Sequence, residues 1–226
     1  MIVKAVIFDL DGLLIETEIV SYKIYKELLQ KYGYEFSVEE YTRTYSGKTE
    51  IKNVMTLIEN YQLPWTVEQG LSEILRVEDR MISEGIALKK GARELLSYLK
   101  ENNFKTAIAT SSTRDRAITI LNQHNFVKYF DEFVFAEELT NGKPNPEVFI
   151  KACEKIRERP ENCLVLEDSE AGIQAAYTAN IPVICIPDLK MPAQEYLNKT
   201  RAVLTSLDKV IELLSAADKI LPKTDW

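Results

Sequence analysis

Val3-Lys4-Ala5-Val6-Ile7-Phe8-Asp9-Leu10-Asp11-Gly12 runs nearly unbroken through apolar residues and then stops on two acids and a glycine. A strand exposed on one face would alternate polar and apolar residues. This stretch does not, which is how a strand buried on both faces reads. The same signature recurs at Thr106 to Ala109, Phe133 to Ala136, Leu164 to Leu166 and Val183 to Ile186. Between these runs the apolar residues fall at helical spacing: Ala92, Leu95, Leu96 and Leu99; Ala117, Ile118 and Leu121; Val148, Phe149, Ala152 and Ile156; Ile173, Ala176 and Tyr177. Strand alternating with helix predicts an α/β fold with a doubly wound parallel sheet.

Residues 16–84 interrupt that rhythm. Val20, Ile24, Leu28 and Tyr32, then Leu71, Ile74, Leu75 and Ile82, carry helix periodicity with no strand between them. Seven of the 11 tyrosines fall in this stretch and only one of the 8 prolines, Pro64, so its composition sets it apart. The expected organisation is an α/β core of residues 1–15 and 85–226 with a smaller helical domain, 16–84, inserted. Amphipathic packing accounts for most of the tyrosines.

Composition removes several function classes. Hydrophobic residues make up 46% and charged residues 28% of 226, ordinary globular usage that argues against disorder. No apolar run approaches the roughly 18 residues of a membrane span, so no membrane partner is expected. With 28 basic residues against 35 acidic ones the net charge is −7, which disfavours a nucleic-acid backbone as partner. Cys153, Cys163 and Cys185 form no CxxC pair and read as reduced, buried thiols. His124 is the one histidine, so schemes needing two imidazoles are excluded. The amino terminus enters its strand without a signal-like segment, and the expected location is cytoplasmic.

Ligands of open α/β sheets bind outside the carboxyl ends of the strands. Those ends are Asp9-Leu10-Asp11-Gly12, Thr110-Ser111-Ser112 and Glu167-Asp168-Ser169, which would bring four carboxylates and four hydroxyls to one edge. So many like charges in a low dielectric call for a cation. All-oxygen donors select a hard one, Mg²⁺, with Asp9, Asp11, Glu167 and Asp168 as candidate ligands.

An ionised carboxylate can attack phosphorus, and a second one nearby can pass a proton to the leaving alkoxide and then take one from water. Asp9 and Asp11, two apart on a strand, would share a face, and Gly12 lets the chain turn at once. Lys143, in Asn141-Gly142-Lys143-Pro144-Asn145-Pro146, supplies the positive charge a phosphate requires. Asn145 reads there as a helix N-cap with Pro146 at the first position. Ser112 with Asp115, and Ser169 before Glu170, read as further N-caps.

Taken together, Asp9-Leu10-Asp11-Gly12 with Glu16-Thr17-Glu18, Thr110-Ser111-Ser112, Gly142-Lys143-Pro144-Asn145-Pro146-Glu147 and Glu167-Asp168-Ser169-Glu170-Ala171-Gly172-Ile173 resemble, in order, the four motifs of the haloacid dehalogenase superfamily. The subgroup resembled has a helical cap between the first two motifs and includes β-phosphoglucomutases and small sugar-phosphate phosphatases. That resemblance implies Asp9 as nucleophile and Asp11 as general acid and base, also lending a backbone carbonyl to Mg²⁺. It implies Thr110, Ser111 and Lys143 as phosphoryl-binding groups, and Asp168 as metal ligand with Glu167 close by or acting through water. Members that break carbon–halogen bonds lack the second aspartate, so Asp11 favours phosphoryl chemistry.

Three positions depart from the pattern. Glu16 stands where an aspartate is usual, and Ser21 where the resembled mutases carry a hinge histidine. Glu50, aligned through Gly47, replaces the mutase arginine that grips a distal phosphate, and an acid there repels one. A phosphatase of small phosphorylated metabolites, a monomer or weak homo-oligomer, is therefore expected ahead of a phosphomutase. A non-catalytic phosphate-binding or receiver-like module is the alternative of another class. Ser46-Gly47-Lys48-Thr49, the Cys153 to Arg159 spacing and the EF-hand-like start at Asp9 fail as a P-loop, a thiol phosphatase and a calcium loop respectively.

Overall fold

The computed structural model describes residues 2–215. Their backbone divides into two compact units, one of residues 2–16 and 87–215, the other of residues 17–86.

The first unit is built on strands β1 (Ala5–Phe8), β2 (Lys105–Ala109), β3 (Glu132–Val134), β4 (Cys163–Glu167), β5 (Val183–Cys185) and β6 (Ala202–Val203). They form one six-stranded sheet in the order β3-β2-β1-β4-β5-β6, every neighbouring pair parallel. The doubly wound parallel fold expected from the sequence is the one observed. Alternate residues Ala5, Ile7, Ala107, Ala109, Cys163, Val165, Val183 and Cys185 join a single core cluster with Phe149 and Ala176. The intervening Val6, Phe8, Ile108, Leu164, Leu166 and Ile184 are equally inaccessible to solvent. Burial on both faces is the reason these strands read as unbroken apolar runs. The edge strand β6, with Ala202 partly buried and Val203 exposed, carries too short a run to be recognised in the sequence. The expected third strand ends early, because Ala136 begins a 3₁₀ turn.

The second unit consists of helices α1 (Thr17–Gln30), α2 (Val38–Thr44), α3 (Glu50–Tyr61) and α4 (Val67–Glu84). Ser37 caps α2 by accepting from the Glu40 amide at 3.1 Å, and Thr66 and Gln69 form a reciprocal capping box at the start of α4. Tyr25, Tyr41, Tyr45 and Phe36 pack edge-on and tilted with centroids 5.5–6.4 Å apart, so these tyrosines are core residues.

Strand order places the chemistry. From β1 the chain adds β2 and β3 on one side, then crosses to β4, β5 and β6 on the other, so the winding reverses between β1 and β4. A crevice opens at such a reversal beyond the carboxyl ends of the strands. Phe8 pairs with Ile108 and Leu166, which puts Asp9 and Thr110 just past the ends of β1 and β2 and Glu167 at the last position of β4.

The remaining helices are α5 (Ala92–Glu101), α6 (Arg114–Gln123), α7 (Glu147–Ile156), α8 (Glu170–Thr178), α9 (Gln194–Leu197) and α10 (Asp208–Ser215). Helix α7 begins one residue later than expected, with Pro146 at the cap, though the Asn145 side chain still accepts from the Glu147 amide at 3.0 Å. Glu147 in turn ties down the loop that carries Lys143. Its carboxylate accepts from the Thr140 and Asn141 amides, both at 2.9 Å, and pairs with Lys151 at 2.8 Å. Lys151 first, then the two amides, hold its carboxyl down from 4.5 to about 2.

A carboxyl whose folded pKa lies below its unfolded one stabilises the fold above the unfolded value and loses that contribution as pH falls towards the folded one. Glu147→Gln should therefore lower the urea midpoint at pH 7, and the gap from the unmutated protein should close as pH drops from 4.5 towards 2. Equal midpoints at pH 7 would refute this.

Candidate active site

Asp9 follows directly on β1, its amide donating to the Leu166 carbonyl at 3.1 Å, and its carboxylate is buried. A buried carboxylate needs compensation, and Lys143 provides it, with Nζ 2.5 Å from Asp9 Oδ1 and 2.6 Å from Glu167 Oε1. The ammonium also lies 5.0 Å from the centre of the Phe149 ring. Burial pushes the Asp9 carboxyl up to about 7 against the pull of Lys143, with Glu167 and Asp11 adding to the rise. Burial also works against the charge of Lys143, but Asp9 and Glu167 outweigh it and raise its pKa.

Glu167 is fully enclosed and fully engaged. While Oε1 meets Lys143, Oε2 accepts from the amides of Asp168 and Ser169, both at 2.9 Å, and from the Ser169 hydroxyl at 3.0 Å. Ser169 Oγ then caps α8 by accepting from the Gly172 amide at 3.1 Å, as the sequence predicts. Residue 172 must be glycine, because a Cβ there would stand 1.7 Å from Glu167 Oε1. These contacts fit Glu167 as the anchor of Lys143.

Oxygens of Asp9, Glu167 and Asp168 lie within 4.8 Å of one another, a group able to hold a metal ion. The donor set is all carboxylate, which suits a hard cation. The Asp11 side chain is not in this group, though it lies near enough to act on the charge of Asp9. The regular strand ends at Phe8, and the chain turns at Gly12 (φ +77°), whose amide donates forward to the Ile15 carbonyl at 3.0 Å. The Asp9 and Asp11 carboxylates therefore take different partners. Asp11 accepts from Ser112 Oγ at 2.6 Å and pairs with Arg116 at 2.8 Å, and Arg116 also donates to Ser112 Oγ at 2.6 Å.

Ser112 is thus not the cap of α6, a role that falls to Thr113. Its hydroxyl serves Asp11 because the serine precedes the helix by two residues. Thr110 is buried, and its hydroxyl accepts from the Ser112 amide at 3.0 Å, whereas Ser111 is exposed. Arg116 escaped the sequence reading. Its one signal is its spacing of four from Ser112, which aligns the two along one face of the helix start. Cys153, Cys163 and Cys185 are free and buried, as expected.

Acidic tips at the winding reversal of a parallel sheet, with a buried lysine between two of them, stand where the ligand sites of open α/β sheets lie. Residues 6–186 match the family model described as haloacid dehalogenase-like hydrolase, and the chain belongs to that family. It is 33% identical over 178 residues to a phosphorylated carbohydrates phosphatase of Thermotoga maritima, covering 79% of this chain and 82% of that one. It is also 33% identical over 212 residues to a bifunctional riboflavin kinase/FMN phosphatase of Arabidopsis thaliana, covering 93% of this chain but 53% of that longer protein. Among solved structures, β-phosphoglucomutase from Clostridium difficile superposes with a TM-score of 0.70 at 26% identity, covering 92% of this chain and 93% of that one. The subgroup resembled in the sequence is therefore the one these comparisons return.

Removing one partner of a buried ion pair typically costs about 3–5 kcal/mol. Lys143→Met should lower stability to urea by that order in chelator, and millimolar Mg²⁺ should restore part of it by supplying another positive charge to Asp9 and Glu167. An unchanged urea midpoint in chelator would show that Lys143 does not hold the acids together.

Proposed function

We propose that the protein is a Mg²⁺-dependent phosphatase of small phosphate monoesters, sugar phosphates and related metabolites among them, working through an aspartyl phosphate on Asp9. The observation that carries this is the buried Asp9 carboxylate held against Lys143 beside Glu167 and Asp168. The family membership and the phosphatases among the relatives point the same way. We assign Asp9 and Asp168 as metal ligands, with the Asp11 backbone carbonyl beside them and Glu167 acting on the centre through Lys143 or water. When bound, Mg²⁺ would neutralise the acids and the phosphoryl oxygens.

Asp9 Oδ attacks phosphorus while the bond to the leaving oxygen breaks, and Asp11 gives that oxygen its proton. The ionised Asp11 then takes a proton from water, whose oxygen attacks the phosphorus of the aspartyl phosphate. Inorganic phosphate leaves and the Asp9 carboxylate is restored. Lys143, Thr110 and Ser111 bind the transferred group, and Lys143 offsets its charge. Ser112 and Arg116 hold the Asp11 carboxylate in one orientation for both proton transfers.

In this proposal residues 1–15 and 85–226 form the catalytic core and 16–84 a cap that selects the leaving group. The protein is cytoplasmic and a monomer or weak homo-oligomer. Among the described residues no helix is long and apolar enough to cross a membrane. A phosphomutase is the second reading, favoured by the likeness to the C. difficile enzyme. Against it stands Glu50, whose carboxylate accepts from the Tyr25 hydroxyl at 2.9 Å and offers no positive charge to a second phosphate. A pure binding module has no use for the proton transfers that this reading assigns to Asp11.

Asp9→Asn keeps the size of the side chain but removes the attacking charge, so turnover of p-nitrophenyl phosphate should fall by orders of magnitude with the fold intact. Near-normal turnover would rule out the covalent route. Excess chelator should likewise abolish activity until Mg²⁺ is returned. With β-glucose 1-phosphate and a trace of the bisphosphate, phosphate release without glucose 6-phosphate is expected, and efficient isomerisation would establish the mutase instead.

General acid catalysis matters most for poor leaving groups. Arg116→Ala should therefore cut kcat on alkyl phosphates by about tenfold or more, with a much smaller loss on p-nitrophenyl phosphate and partial recovery in Arg116→Lys. Equal losses on both substrates would assign Arg116 a purely structural role.

A further inference from the structure

Beyond β5, the loop carries an acid that none of the motifs includes. The Asp188 side chain is only 8% exposed, and its Oδ1 pairs with Lys89 at 2.6 Å. Its Oδ2 is buried with no hydrogen-bond partner. Leaving a buried carboxylate oxygen without a donor costs several kcal/mol in a low dielectric, by the order of the ionic desolvation penalty. Such an oxygen marks a place where water or a cation belongs.

Gly12 shows where that oxygen points. A Cβ on Gly12 would lie 2.3 Å from Asp168 Oδ2 and 3.3 Å from Asp188 Oδ2. Both oxygens thus approach the same bare face of the turn after Asp11, and Asp168 belongs to the acidic group at the end of β4. Two carboxylates facing one turn repel unless donors or positive charge intervene. Lys89 covers the far oxygen of Asp188 and leaves the near one open. Asp188 lies outside the group of three whose oxygens are within 4.8 Å of one another, so it is placed to act on a bound cation through an intervening water.

We propose that Asp188 is a fourth acid of the metal centre, fixing a water that belongs to the cation held by Asp9 and Asp168. The inference rests on the Mg²⁺ reading above. Groups that orient a metal's ligands in this indirect way commonly account for about 10- to 100-fold in metal affinity. Lys89 neutralises Asp188 from the other side, so the acid can sit beside the centre without adding a full unpaired charge to it.

The test is calorimetric titration of the full-length, metal-stripped protein with Mg²⁺, repeated with Mn²⁺ followed by electron paramagnetic resonance. Asp188→Asn keeps the shape and should weaken binding by about 10- to 100-fold. Lys89→Met breaks the same ion pair but keeps the carboxylate, and should bind Mg²⁺ at least as tightly as the unmutated protein. Equal weakening in both variants would reduce Asp188 to a structural partner of Lys89, and unchanged affinity in Asp188→Asn would overturn the proposal outright. If the unmutated protein binds neither ion, the metal reading itself falls and this inference with it. Binding that Asp188→Asn leaves intact removes the inference alone.

Discussion

One ammonium group between two buried carboxylates governs the catalytic end of this protein. Asp9 and Glu167 stand at adjacent strand ends, both away from water, where two negative charges would not coexist. Lys143 Nζ reaches both within 2.6 Å, which makes the pairing of acids at the ends of β1 and β4 tolerable. A cation added by binding can only join an arrangement whose charge is already partly balanced.

Much of the neighbouring structure serves to keep that lysine in place. Glu147 fastens the loop before it, Phe149 faces it from the first turn of α7, and the start of α8 closes around Glu167 so tightly that residue 172 can carry no side chain. Each contact is local and modest. Together they fix a long, flexible side chain whose conformational entropy would otherwise oppose its burial.

A second, separate pairing holds Asp11. Asp11 is turned from the buried acids towards Ser112 and Arg116, so the two aspartates of one motif occupy different electrostatic surroundings. Asp9 is enclosed and Asp11 partly exposed, the difference on which the proposed division of roles between them rests. Strand termination at Phe8 and the turn at Gly12 produce this division.

The fold class was legible in the sequence, and so was most of the candidate site, because both depend on local signals. Unbroken apolar runs report strands buried on two faces, helical spacing reports what covers them, and Asp9, Thr110 and Asp168 follow the ends of such runs, while Lys143 falls in the loop before α7. Edge strand β6 was not legible, since two residues carry no periodicity. The direction of the Asp11 carboxylate, the role of Arg116, the diversion of Ser112 from capping and the open oxygen of Asp188 were decided only by the tertiary structure. Each depends on contacts between residues from different segments, and a linear pattern records what a residue is without recording which distant group it meets.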